Sequence, residues 1–85
     1  MDAIAIRDNI RQSIARITGI SPEDISDYSD FVDDLGLDSL SLLEVAVDAE
    51  LAFQIKLDDA RLKELKNIDD TARVVAEYLT VDARA

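Results

Sequence analysis

The chain has 85 residues, 48% of them hydrophobic and 33% charged, with two glycines and one proline, enough apolar material for a small core and too little breaker content for disorder. It has no cysteine and no histidine, which removes disulfides, thiolate chemistry, the usual base at neutral pH and the commonest metal ligand. Its formal net charge of −10 makes nucleic acid and anionic membrane poor partners.

A chain of this length is expected to form one domain, residues 1–85, burying only about 60 to 65% of the surface its unfolded form exposes. The charge is unevenly placed. Residues 17 to 55 contain ten acids and no Lys or Arg, while the remainder holds nine acids and nine bases. Such a stretch is either a solvated face or a docking surface for basic patches on other proteins, where complementary fields speed encounter.

The opening "MDAIAIRDNIRQSIARI" has no continuous apolar run of the secretory kind, and no run approaches the roughly 20 residues that span a membrane, so a cytoplasmic location without membrane insertion is expected. Ile6, Ile10, Ile14 and Ile17 recur at helical spacing and Gly19 follows as a stop signal, predicting a first amphipathic helix. Residues 19 to 38 mix Gly, Pro, Ser and Asp with isolated large apolar residues, which predicts a long ordered loop pinned to the core. Within it, "SPED" is suited to one short turn with Ser21 as N-cap and Pro22 first.

A second helix is predicted from Asp38 or Ser39 to about Phe53. It carries two apolar rows, Leu42, Ala46, Ala49 and Phe53 on one side and Leu40, Leu43, Val47 and Leu51 on another. Either the two rows form a single wide buried stripe packed by the long loop, or, since a domain this small cannot readily surround a helix, one row is core and the other is partly exposed beside Ser41, Glu44 and Asp48. "LDDARLKELKN" predicts a short helix with Leu57, Ala60 and Leu65 inward. Ile68, Ala72, Val75 and Leu79 predict a last helix capped by Asp69 or Asp70. The expected fold is all-α, a small bundle of three main helices plus a short one.

Ser39 has no imidazole to activate it and no G-x-S-x-G around it, which argues against a hydrolase. An EF-hand with Gly36 at its sixth position would place Phe31, Leu35 and Leu42 where oxygen ligands belong, so no calcium loop is expected. Local chemistry leaves two roles for Ser39. It is a capping residue, or a point where a covalently attached phosphate meets free amides at a helix start.

"FVDDLGLDSLSLLEVAVDAE" resembles the phosphopantetheine attachment region of acyl carrier proteins: Phe31, the pair Asp33 and Asp34, Leu35-Gly36, then Asp38-Ser39-Leu40 opening a helix, with Glu44 five residues after the serine. The similarity in length, acidity and helix order covers essentially the whole chain. It implies that a phosphopantetheinyl transferase moves 4'-phosphopantetheine from coenzyme A onto Ser39, and that the arm's thiol carries an acyl group. Asp38 and Leu40 flank the attachment point, and the carrier itself is not an enzyme.

The resemblance also implies a partner surface of Asp38, Leu40, Leu43, Glu44, Val47, Asp48 and Glu50, read by acyltransferases and ketosynthases with basic docking patches, on a protein expected to be monomeric. Val45, Ala46, Ile55, Ile68 and Ala72 are candidate walls for an acyl chain, though core packing accounts for each of them. Val47 stands where fatty acid synthase carriers often have methionine, and "LDSLSLLE" is also similar to discrete polyketide carriers. The chain lacks the Gly-Gly that peptidyl carriers tend to show. A peptidyl or aminoacyl carrier, or an unmodified acidic adaptor, is the alternative reading.

Overall fold

The computed structural model describes residues 2–84, with side chains through residue 79; Met1 and Ala85, the ends of the expected 1–85 domain, lie outside the described residues. Those residues form four α-helices and no strand: α1 (Ala3–Thr18), α2 (Ser39–Phe53), α3 (Asp59–Leu62) and α4 (Ile68–Arg84). A 3-10 turn at Pro22–Asp24 interrupts the α1–α2 loop. The expected bundle of three main helices and a short one is the observed fold.

Asp2 starts α1 by accepting the Ala5 amide at 2.8 Å, and Gly19 ends it in the left-handed region (φ 80°) with its N–H on the Ala15 carbonyl. A residue with a Cβ pays a steric penalty in that conformation, which is why glycine makes the stop. Ile6, Ile10 and Ile14 turn inward and Ile17 is half-buried, so α1 lays its isoleucine row against both α2 and α4. From α4, Ile68, Ala72, Val74 and Val75 complete the centre of the core.

The loop from residue 19 to 38 is held at several points. Ile25, Phe31 and Leu37 are buried in the core, the Phe31 amide donates to the Lys66 carbonyl at 2.8 Å, and the Asp69 amide donates to the Asp27 carbonyl at 3.0 Å. The acidic stretch also gains cations from outside itself. Arg7 pairs with Asp27 at 2.9 Å and with Asp69 at 2.6 Å, while Arg11 also reaches Asp27 and donates from Nε to the Ile25 carbonyl at 3.2 Å. Asp27 therefore ties α1, the loop and α4 together.

Three local expectations are corrected. Asn67 caps α4, its Oδ1 accepting the Asp70 amide at 2.7 Å, whereas Asp69 and Asp70 sit inside the first turn and pair with arginines. Ala60 is exposed: Leu57 lies before α3, separated from it by the extended N-cap Asp58, so helical spacing from Leu57 does not turn Ala60 inward, and Leu57 and Leu65 are buried from outside the helix. Ser21 occupies the cap position of the 3-10 turn with Pro22 first, but its side chain makes no capping hydrogen bond; the Ser21 carbonyl accepts the Asp24 amide instead.

Candidate functional site

The chain is delivered to Ser39 by a tightly bonded turn. The Asp30 carboxylate accepts the amides of Val32 (2.9 Å) and Asp33 (2.8 Å), the Asp30 amide donates to the Asp34 carboxylate at 2.7 Å, and the Leu37 amide donates to the Phe31 carbonyl at 2.8 Å. Gly36 takes the left-handed conformation (φ 73°) that reverses the chain, so that buried Leu37 anchors the turn and Asp38 emerges at the surface. Four of the acids in this stretch therefore sit on or beside one anchored turn.

Asp38, rather than Ser39, is the N-cap of α2: its backbone is extended and its Oδ1 accepts the Ser41 amide at 2.8 Å. That amide, helped by the Ser41 side chain, holds the Asp38 carboxyl below the ordinary aspartate range, so it is ionised at neutral pH. Capping is thus already done when the chain reaches Ser39, the first helical residue. Ser39 is exposed, and no side chain or backbone group among the described residues engages its hydroxyl. The Ser39 and Leu40 amides belong to the first turn, where no intrahelical acceptor exists. An exposed, unengaged hydroxyl at a helix start fits an attached phosphodiester, although the neighbouring Asp38 carboxylate opposes it electrostatically.

Along α2, Leu40 (66% exposed), Leu43 (49%), Val47 (41%) and Leu51 (74%) form one outward line, while Ala46, Ala49 and Phe53 are buried and Leu42 is half-buried against the core. Val45, Ile55, Ile68 and Ala72 are buried core residues too. The acids beside the outward line differ among themselves. Glu44 is exposed with no cation bound to it among the described residues, Asp48 is paired with Arg16 of α1, and Glu50 accepts the Leu57 amide at 2.8 Å. Glu50 thereby braces the segment that follows α2. Sequence reading missed Arg16 because spacing along α1 does not tell which helix lies beside it. It missed the Glu50 bond because the acceptor and donor are seven residues apart across a chain reversal.

Among the described residues no group of three or more His, Cys, Asp or Glu is placed to hold a metal ion, and no helix is long and apolar enough to cross a membrane.

Comparison with known proteins bears on the same region. The family described as "Phosphopantetheine attachment site" matches residues 8–75, and an acyl carrier protein of Thermobifida fusca (strain YX) is 36% identical over 70 residues, 82% of this chain and 89% of the relative. The chain belongs to the acyl carrier protein family. Another acyl carrier protein, from Wolinella succinogenes, is 31% identical over 72 residues, 85% of this chain and 95% of its own length. A meromycolate extension acyl carrier protein of Mycobacterium leprae (strain TN) is 38% identical over 66 residues, and the match spans 57% of that longer protein. Acyl carrier proteins are carriers and not enzymes, their cofactor is covalently attached 4'-phosphopantetheine, and they work with enzymes of fatty acid or polyketide synthesis.

Proposed function

We propose that Ser39 bears the 4'-phosphopantetheine arm and that this protein shuttles acyl groups between enzymes of fatty acid or polyketide assembly. The observation that carries the reading is an exposed, unengaged hydroxyl at the first position of α2, inside the matched attachment region, with capping handled by its neighbour. The chain offers no base of its own: it has no histidine, and Asp38 is a poor proton acceptor because its carboxyl is lowered. Deprotonation of Ser39 falls to the transferase, as the Oγ–P bond forms and 3',5'-adenosine bisphosphate leaves from coenzyme A.

When attached, the arm supplies a terminal thiol that holds the acyl group as a thioester on a mobile tether. The residues of α2 then present the surface. Leu40, Leu43 and Val47 offer apolar contact, and Asp38, Glu44 and Asp48 steer basic patches on the transferase, acyltransferases and ketosynthases toward it. Contacts of this kind are small, salt-sensitive and short-lived, as a carrier that must leave each partner requires. Glu50, with its carboxylate on the Leu57 amide, serves this surface mainly by shaping its end. A cytoplasmic monomer of one domain suits this work. The relatives named for acyl carriage and meromycolate extension favour an acyl cargo over an amino acid.

The test is the intact mass of the protein before and after incubation with coenzyme A, magnesium and a broad-specificity phosphopantetheinyl transferase. A phosphopantetheinyl increment on the wild type, absent from Ser39→Ala, is expected. No increment on folded wild type would return Ser39 to an ordinary first-turn residue of an acidic adaptor.

A further inference from the structure

Among the described residues, one cation from α1 is paired with an acid of α2. Arg16, in the last turn of α1, is 65% exposed and donates to the Asp48 carboxylate, itself 30% exposed. These two residues, with Ile17, Leu43, Glu44 and Val47, line a shallow groove of about 300 Å³ between α1 and α2. Its apolar part is made by Ile17, Leu43 and Val47. Of its two carboxylates, Glu44 has no cation bound among the described residues and Asp48 is already taken.

We propose that Arg16 is an internal competitor at this groove: it occupies the Asp48 carboxylate that an incoming cation would use, and so determines how basic a partner must be to seat an apolar side chain there. The inference rests on the carrier reading in taking α2 as the docking face. The occupant that fits is a short helical segment of a partner enzyme, with a leucine-like side chain for the groove and Lys or Arg on either side. One cation meets Glu44. The second must displace Arg16, and the released guanidinium then remains nearby as a like charge. A weakly basic segment gains only the Glu44 contact, whereas a strongly basic one gains both, so the pair sharpens selection among partners by making the wrong ones less favourable.

The probe is a synthetic amphipathic helical peptide with leucines on one face and lysines flanking them, titrated into the full-length protein at low ionic strength while amide chemical shifts are followed. Shifts are expected at Ile17, Leu43, Glu44 and Val47. Removing an exposed ion pair that competes for the site tightens binding by about two- to fivefold in Arg16→Ala. Asp48→Asn added to Arg16→Ala abolishes that gain, and Glu44→Gln weakens binding with or without Arg16. Binding that is unchanged or weaker in Arg16→Ala, shifts confined to other amides, or no binding at all overturns the proposal. Loading of Ser39 is read separately by mass. A protein that accepts the arm but shows no Arg16 effect overturns this inference alone, and one that docks the peptide without accepting the arm overturns the arm assignment alone.

Discussion

Asp38 accepts the Ser41 amide at 2.8 Å while Ser39 stands exposed beside it, so the two neighbours can be separated by mutation. Asp38→Ala removes the cap and its charge and is expected to lower the melting temperature. Asp38→Asn keeps a good N-cap and recovers most of that loss, which thermal unfolding of the two variants checks. Ser39→Ala leaves the cap in place and melts with the wild type. Phe31 shows the opposite dependence on burial. Its ring is fully buried and its amide bonds to Lys66, so Phe31→Ala is expected to cost about 3–5 kcal/mol, read as a fall in the urea midpoint, a large share of the total stability of a domain this small.

At the scale of elements, the left-handed C-cap of α2 is occupied by Gln54 (φ 56°, ψ 48°), exposed and without the freedom of glycine. Gln54→Gly is expected to raise stability by about 0.5–1 kcal/mol, seen as a higher urea midpoint with an unchanged slope. A helix stop set by a single residue's chemistry is legible in the sequence, as Gly19 ending α1 shows, whereas the start of α2 is legible only to within Asp38 or Ser39 until the bonded Ser41 amide selects Asp38. The two rows of α2 were legible for the same reason, since helical periodicity separates Leu40, Leu43 and Val47 from Ala46, Ala49 and Phe53 without knowledge of any neighbour. Ala60 and the α4 cap were misread because the sequence allows more than one start: Asn67, Asp69 and Asp70 are all competent caps, and only the bonded amide selects Asn67. Arg7, Arg11 and Arg16 show in the sequence only as bases interleaved with the isoleucines of α1. Their partners Asp48 and Asp27 lie 16 or more residues away, so these pairs arise only once helices and loop are packed.

For the whole molecule, the arginines of α1 offset part of the acidic middle of the chain, but most of its carboxylates have no cation bound among the described residues. Mutual repulsion is expected to dominate. Raising sodium chloride from low to physiological strength should increase the melting temperature as the screening length falls from about 30 Å to about 8 Å; a decrease would mean that the Arg7, Arg11 and Arg16 pairs outweigh the repulsion. Acid acts in the other direction.

Arg7, followed by Arg73, holds Asp69 below the ordinary carboxylate range, and the Ser41 amide does the same for Asp38. The folded state therefore binds these protons less readily than the unfolded one. The stability they contribute is present above the unfolded value of 3.8 and is lost as pH falls through the lower folded values. Protonation of these two groups is expected to lower the melting temperature below about pH 4, giving an acid limb beneath the neutral plateau that is partly offset by the relief of carboxylate repulsion acid also brings. Asp69→Asn should lower the plateau and flatten the acid limb. By the same repulsion argument, millimolar magnesium or calcium is expected to raise the melting temperature, and an unchanged melting curve would count against it.

The central claim is that one serine on the first turn of α2 receives the arm. The most direct measurement is residue-resolved mass spectrometry of the transferase-treated protein, with Ser41→Ala compared alongside because Ser41 is the other serine in that turn. The account predicts the phosphopantetheinyl group on Ser39, at the same site and extent in Ser41→Ala. A modification found on Ser41 or on a loop serine, or none on the folded protein, would contradict it.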